Sequence, residues 1–240
     1  MKPTNRTGKL LAPDITRRSL FSRCASGILL AAAGSASASD FHTRPGAFAE
    51  ALTQTVPVEE GPFYPYHRLP LDTDNDLLIV NNAITPAVGE ITHLSGRLLD
   101  ARGEPIRNAT IEIWQVDHNA VYLAERGSQQ GAFDGNFQGF GRFLTSSTGE
   151  YYFRTIKPVP YHSRPAPHIH FKVTARGRQP FTTQLFIKGH PGNLRDGVYN
   201  QSGPPAAMTT VSVPFTPIKS SQIHELAATF NIVRGITPRS

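Results

Sequence analysis

The chain has 240 residues and a formal net charge of +6, with 24 Lys and Arg against 18 Asp and Glu. Residues 1–38 hold six of the basic residues and one of the acidic ones, which leaves 18 basic and 17 acidic residues in 39–240. That near-neutral remainder excludes nucleic-acid binding driven by charge. The single cysteine, Cys24, lies in the basic start, so the remainder contains neither a disulfide nor a thiolate ligand.

Residues 1–38 have the pattern of an export signal. Basic residues precede an apolar stretch at 25–33, and Ala36-Ser37-Ala38 matches a small-residue cleavage site. Thr16-Arg17-Arg18-Ser19-Leu20-Phe21 resembles a twin-arginine signal. The apolar stretch is about half the ~20 residues that a spanning helix needs, which disfavours an uncleaved membrane anchor. We therefore expect cleavage near Ala38, a periplasmic or secreted protein, and no membrane span after cleavage.

Residues 39–90 predict an irregular N-terminal arm. They are rich in Pro, Asp and Asn, and only 48–52 could form a helical turn. Residues 59–65 combine a glycine with two prolines, which predicts a stiff loop because proline fixes φ and glycine permits close approach.

Residues 91–240 predict one all-β domain, an antiparallel β-sandwich with long loops and little helix. Short runs of apolar and β-branched residues alternate with turn signals, and only Gln222 to Ala227 looks helical. Two of the strands flank a Ser-Thr-Gly turn and predict a hairpin. The long connection from Tyr122 to Phe140 predicts a pocket wall. The predicted strands are Ile91–Asp100, Thr110–Val116, Arg142–Ser146, Glu150–Thr155, His168–Ala175, Thr182–Lys188, Thr209–Phe215 and Ala228–Val233.

Two histidines and two tyrosines form a candidate metal-ligand set. His168 and His170 are two residues apart in a predicted strand, so their side chains share one face. Phenolates from Tyr122 and Tyr161 would add two anionic oxygens, a mixture that suits a hard, highly charged ion such as ferric iron.

A different metal is the competing interpretation of the histidine pair. A zinc or copper enzyme could use His168 and His170, although zinc more often draws a third histidine or a carboxylate. His162 and His190 are the spare candidates for that role. Trp114, the sole tryptophan, is expected in the core rather than at a substrate.

Several motifs in the same order carry a family resemblance. Together they resemble the intradiol ring-cleavage dioxygenases, the family of catechol and protocatechuate dioxygenases, over roughly residues 55–235. In chain order the motifs are Glu60-Gly61-Pro62-Phe63-Tyr64, Gly96-Arg97-Leu98-Leu99-Asp100, Trp114-Gln115-Val116-Asp117 with Tyr122, Phe137-Gln138-Gly139-Phe140-Gly141-Arg142, residues 148–158, Tyr161, His168-Ile169-His170-Phe171 and Thr183-Gln184-Leu185-Phe186.

The resemblance implies an activity in aromatic catabolism. A ferric, non-haem enzyme would cleave a catechol-type ring between its two hydroxyl-bearing carbons with O₂, giving a cis,cis-muconate-type diacid. It implies Fe(3+) held by Tyr122, Tyr161, His168 and His170, with Tyr161 displaced by substrate and able to take up a substrate proton.

The resemblance also implies roles for four residues beside the metal. Arg164 would stabilise charge that builds up on the substrate ring. Gln184 would orient either the substrate or the arginine, and Gly61 and Pro62 would line the substrate pocket. Arg142 is the replacement candidate for the cation if Arg164 is misplaced.

The chain departs from the family pattern at two positions. Ala120 stands two residues before Tyr122, where the family usually has glycine. The family arginine usually lies three residues before the first histidine, where this chain has Pro165, so Arg164 is one residue further away. Ala120 affects the geometry of the loop before Tyr122. The longer spacing before His168 affects the direction in which the Arg164 side chain points.

The expected partners are a small aromatic diol and O₂, without nucleic acid. The sequence leaves open which catechol is the substrate and whether the chain forms a homo-oligomer. A non-enzymatic binding module is the remaining alternative, because Gly96 to Gln115 alone resembles many prealbumin-like sandwich domains. Such a module has no reason to keep the two tyrosines and the two histidines together.

Overall fold

Short strands form two facing sheets in the computed structural model. The model describes residues 52–67, 69–80, 84–126, 132–161 and 164–235, which belong to one compact unit spanning Ala49–Ser240. The predicted signal at 1–38, its cleavage site and residues 48–51 of the predicted helical turn lie outside the described residues.

The described strands and helices are short. The strands are β1 (Ile91–Asp100), β2 (Thr110–Trp114), β3 (Phe140–Leu144), β4 (Glu150–Ile156), β5 (His168–Thr174), β6 (Phe181–Ile187), β7 (Ser212–Val213), β8 (Thr216–Pro217), β9 (Leu226–Thr229) and β10 (Ile232–Arg234). The α-helices are α1 (Gly197–Gln201) and α2 (Pro205–Met208), and 3₁₀ turns occupy Leu123–Glu125, Asn193–Arg195 and Thr209–Val211. Within the described ranges, no helix is long and apolar enough to cross a membrane.

The two sheets confirm the predicted all-β fold class. The first sheet has the order β10-β1-β9-β8, with β4 paired to β1, and the second has the order β3-β2-β5-β6-β7. Most pairs are antiparallel, but β1 pairs in parallel with β9 and β10, and β6 pairs in parallel with β7.

The alternation of side chains in β5 places the candidate site. Ile169, Phe171 and Val173 join the apolar core that both sheets bury. His168 and His170 therefore point to the other face of the second sheet. A separate aromatic cluster covers that face, and its buried members are Trp114, Val116, Tyr122, Phe140 and Tyr161.

The predicted hairpin between residues 142–146 and 150–155 is wrong. β3 pairs with β2 in the second sheet, whereas β4 pairs with β1 in the first sheet. The turn itself is present, because the Gly149 N–H donates to the Ser146 carbonyl over 3.0 Å. The Gly149 carbonyl accepts the Leu98 N–H over 2.8 Å, which ties the turn to β1 and directs the next strand into the first sheet.

The predicted helix at Gln222–Ala227 is also wrong. Leu226 begins β9, which pairs with β1, and the Ile218 N–H donates to the Glu225 carbonyl over 2.8 Å across a turn. Backbone pairing with a central strand outweighs the local helix propensity of this segment. Of the predicted strand at 209–215, only Ser212–Val213 form a strand, β7, and Thr209–Val211 form a 3₁₀ turn before it.

Candidate metal centre

The four predicted ligands come together on the outer face of the second sheet. The Nε2 atoms of His168 and His170 lie 3.4 and 2.9 Å from the Tyr122 hydroxyl. The Tyr161 ring stands perpendicular to the Tyr122 ring, with a centroid distance of 5.0 Å, and lies 5.5 Å from the His168 ring. Two imidazole nitrogens and two phenols therefore face one small volume.

His168 presents a free Nε2 atom to this volume. His168 Nδ1 donates to the Ala166 carbonyl over 2.7 Å, which leaves Nε2 unprotonated in the neutral ring. Burial lowers the pKa of His168 to about 3 and lowers the pKa of His170 well below its ordinary value. Both rings are thus neutral at physiological pH, the state in which imidazole binds a metal.

His170 is held mainly by ring stacking. The Trp114 ring lies parallel to it at 4.7 Å, and β2 and β5 place these two residues opposite each other. Within the described part of the chain, His170 Nδ1 has no hydrogen-bond partner. Trp114 is therefore a packing partner of a candidate ligand, consistent with its expected core position.

The phenols require a cation to ionise. Burial raises the pKa of Tyr122 well above its ordinary value and also raises the pKa of Tyr161. A buried phenolate pair is stable only beside a strong positive charge. The donor set of two neutral imidazoles and two phenols therefore fits a hard, highly charged ion such as ferric iron.

The described residues do not support the zinc alternative. They contain no group of three or more His, Cys, Asp and Glu side chains that could hold a metal. His190 thus joins no such group, and His162 lies outside the described residues.

Arg164 reaches the centre in spite of the extra residue before His168. Arg164 and Tyr161 exchange two backbone hydrogen bonds, of 3.1 and 2.7 Å, so their backbones lie side by side. The Arg164 side chain is 11% exposed and forms a 2.8 Å ion pair with Asp196. A hydrogen bond from Arg164 partly offsets the burial that raises the pKa of Tyr161. Arg142, the replacement candidate, instead pairs with Glu112 at 2.7 Å.

Gln184 is hydrogen-bonded to the arginine. It lies on β6 directly opposite His170 and is fully buried. Its Oε1 accepts from Arg164 Nη2 over 2.8 Å, and its Nε2 donates to the Glu59 carbonyl over 2.9 Å. Because both ends of the amide are engaged, Gln184 links the N-terminal loop to Arg164.

The loop at 59–64 covers the centre. Gly61 has φ +70°, and a Cβ atom there would lie 3.7 Å from His170 Cε1. Pro62 is exposed beside it. Phe63 stacks on the Tyr122 ring at 4.6 Å and meets the Tyr161 ring edge-on at 6.0 Å. Gly61 thus lies next to His170, Pro62 follows it at the surface, and Phe63 contacts both candidate tyrosines although the sequence assigned it no role.

The loop before Tyr122 is strained at the position of the first departure from the family pattern. Ala120 has φ +65°, a left-handed conformation that favours glycine. The buried carboxylate of Asp117 accepts the Asn119 and Val121 N–H groups over 2.9 and 3.0 Å and so fixes the loop on both sides.

Asp196 is the main site residue that sequence reasoning missed. Its carboxylate is fully buried, pairs with Arg164 and caps α1 by accepting the Tyr199 N–H over 2.9 Å. The available signal was an aspartate in front of a short helical segment, and residues 197–201 were not predicted to be helical.

Comparisons with known proteins identify the family. A family model described as "Dioxygenase" matches residues 59–233. The protocatechuate 3,4-dioxygenase beta chain of Burkholderia cepacia is 33% identical over 180 residues, which cover 70% of this chain and 75% of that protein. A hydroxyquinol 1,2-dioxygenase of Corynebacterium glutamicum is 27% identical over 55% of this chain and 45% of its own length. The chain thus spans less than half of that second relative.

Solved structures share the fold. An intradiol ring-cleavage dioxygenase from Tetranychus urticae has a TM-score of 0.61 at 20% identity, over 79% of this chain and 98% of that one. The dioxygenase domain of a carbohydrate-binding fusion protein from Streptomyces sp. SirexAA-E has a TM-score of 0.56 at 24% identity, over 77% and 99% of the two chains. This chain belongs to the intradiol ring-cleavage dioxygenase family. It is an oxidoreductase that uses O₂ to open a catechol-type ring between its hydroxyl-bearing carbons.

Proposed function

We propose that the enzyme is a ferric intradiol dioxygenase whose iron is held by Tyr122, Tyr161, His168 and His170. The supporting observation is the convergence of two neutral imidazole Nε2 atoms on the Tyr122 hydroxyl, beside a second buried phenol. When bound, the ferric ion acts as a Lewis acid that favours the doubly deprotonated catechol.

The two tyrosines have different roles. Tyr122 is 1% exposed, is stacked by Phe63 and lies within 3.4 Å of both imidazoles, which suits a permanent ligand. Tyr161 is 8% exposed and its backbone is paired with that of Arg164, which suits a ligand that substrate would displace. The Tyr161 oxygen would then be able to hold a substrate proton, because burial raises the pKa of this phenol.

Arg164 supplies fixed positive charge beside the reacting ring. Its guanidinium is oriented by Asp196 and Gln184 before substrate binds, so no reorganisation is needed as charge develops. Gly61 and Pro62 form the near wall of the substrate pocket, and Phe63 closes it over the ligand tyrosines.

Metal analysis and turnover test this proposal. The chain purified from an iron-replete host should contain about one iron per protein, show a red-brown ferric–tyrosinate absorption band and cleave at least one catechol to a muconate-type diacid. The panel should include catechol, protocatechuate, hydroxyquinol and a chlorocatechol, with product identification. Colourless protein that carries zinc and gains no band after ferric reconstitution would contradict the proposal.

We also propose that the enzyme acts outside the cytoplasm, in the periplasm or beyond. The support is Arg17-Arg18 ahead of the short apolar stretch at 25–33 and of the small-residue cleavage site that ends at Ala38. Replacing both arginines by lysine should leave uncleaved protein in the cytoplasm. Unchanged export of that variant would favour the general secretory route.

A further inference from the structure

The buried carboxylate of Asp196 lies behind the candidate centre. It bonds directly to Arg164 and reaches His168 through the Ala166 peptide group. We propose that Asp196 is a positioning residue that fixes both the aim of Arg164 and the orientation of His168. This inference rests on the proposed function, in which Arg164 stabilises charge and His168 binds iron. Asp196 is fully buried and is not itself one of the four ligands.

The first contact is with the guanidinium. Arg164 Nε lies 3.1 Å from Asp196 Oδ1 and 2.8 Å from Oδ2, while Arg164 Nη2 donates to Gln184 over 2.8 Å. Two neighbours therefore fix the plane of the guanidinium. A buried ion pair of this kind holds geometry firmly, because either partner left alone would be an unpaired buried charge.

The second contact runs through a peptide group to a candidate ligand. Asp196 Oδ2 accepts the Ala166 N–H over 3.3 Å, and the Ala166 carbonyl accepts His168 Nδ1–H over 2.7 Å. The carboxylate, the peptide and the imidazole thus form one hydrogen-bonded series. Partners behind a metal-binding histidine set its ring orientation and its tautomer.

These two contacts lie on either side of Pro165, which stands where the family usually has its arginine. Asp196 bonds to the side chain before Pro165 and to the N–H after it. The Pro165 carbonyl is packed against Gly192, where an added Cβ atom would lie only 1.9 Å from it. Residues 192–196 therefore clamp the loop that joins Arg164 to His168.

Helix capping is the competing explanation for a buried Asp196. Its Oδ1 accepts the Tyr199 N–H over 2.9 Å at the start of α1, which is a purely structural bond. Serine caps helices about as well as aspartate, but its uncharged, shorter side chain cannot keep the ion pair with Arg164. Asp196→Ser therefore separates the cap from the two proposed contacts.

The experiment compares Asp196→Ser and Asp196→Asn with Asp100→Asn, each in the full chain. Asp100 is a matched control, because its buried carboxylate also accepts two backbone N–H groups, those of Arg102 and Glu104, at the end of β1. Each substitution at Asp196 is also made in an Arg164→Ala background. The measurements are kcat and KM per bound iron, ferric affinity by chelator competition, and the midpoint of urea unfolding.

The kcat reports on the contact with Arg164, and the ferric affinity reports on the contact with His168. Asp196→Ser should lower kcat per bound iron about 10- to 100-fold, yet by less than about threefold once Arg164 is already alanine. Its ferric affinity should fall about tenfold or more in both backgrounds, because the route to His168 does not pass through Arg164. Asp100→Asn should keep the kcat and the ferric affinity of the unsubstituted protein.

Several outcomes would overturn the proposal. The first is an Asp196→Ser variant with unchanged kcat and ferric affinity. The second is a double variant whose loss of kcat equals the product of the losses in Asp196→Ser and Arg164→Ala. The third is failure of both Asp196 variants to fold while Asp100→Asn folds. The last result would make Asp196 a structural residue. If the unsubstituted protein binds iron but cleaves no catechol, the proposed function fails separately, and the ferric affinities still decide the contact with His168.

Discussion

Acid should destabilise the iron-free protein through its buried imidazoles. The folded state holds the pKa of His168 at about 3, whereas an unfolded chain would have the ordinary value near 6.5. Between these two values the unfolded state binds the proton and the folded state does not, so stability is present above the higher pKa and is lost as pH falls. From about pH 7 to about pH 4.5, the loss from His168 alone is about 2.5 kcal/mol.

Urea unfolding of the iron-free protein at both pH values measures this loss. The comparison is with His168→Gln, which removes the titrating ring and leaves the other ionisable groups in place. The unfolding free energy of the unsubstituted protein should fall by about 2.5 kcal/mol more than that of the variant. Equal losses in the two proteins would show that His168 is not held neutral and does not present a free imidazole.

Four further substitutions test the loops and the ligands. Tyr122→Phe should lower ferric affinity more than about 100-fold, whereas Tyr161→Phe should keep iron, shift the visible band and slow turnover. Ala120→Gly should raise the unfolding free energy by about 0.5–1 kcal/mol, because glycine relieves the left-handed strain at φ +65°. Gly192→Ala should lower kcat by up to ~100-fold, because its Cβ atom would displace the Pro165 carbonyl and move the loop beside the centre.

Each of these substitutions has a control or a contrary outcome. Identical phenotypes for the two tyrosine variants would remove the basis for separate roles. Ala227→Gly in β9 should destabilise, so loss of stability in both glycine variants would contradict the strain argument. Gly203→Ala meets only ordinary contacts of 3.5 Å or more and should leave kcat unchanged, so an active Gly192→Ala variant would show that the loop tolerates the shift.

The sequence predicted what depends on local periodicity. β1 was predicted with its exact bounds, and β5 differs from its prediction by one residue at the C-terminal end. Because side chains alternate along a strand, the spacing of His168 and His170 was enough to place both on one face. The structure brings both imidazoles to Tyr122 in agreement with that prediction.

What the sequence did not predict depends on pairing between distant segments. The turn at 146–149 indicated a hairpin, but a hydrogen bond to β1 directs β4 into the other sheet. Asp196 contacts Arg164 across 32 residues of chain, and the secondary-structure propensities of the two segments do not predict that contact. Periodicity places a residue on a face, whereas the partner of a loop side chain is set by the tertiary fold.

The two departures from the family pattern, at Ala120 and Pro165, lie in loops that are held in the same way. Ala120 and Pro165 each lie in a loop that presents a site residue, and each loop is held by a buried carboxylate that bonds on both sides of the departure. Asp117 accepts the N–H groups that flank Ala120, and Asp196 bonds the side chain before Pro165 and the N–H after it. A hydrogen bond to a charged group contributes about 1.5–3 kcal/mol, against about 1–2 kcal/mol of strain for a left-handed alanine. The Asp117 carboxylate therefore outweighs the cost at Ala120, and that loop keeps a geometry that alanine disfavours. At Pro165, where no such strain is present, the Asp196 carboxylate instead fixes the path of the longer loop.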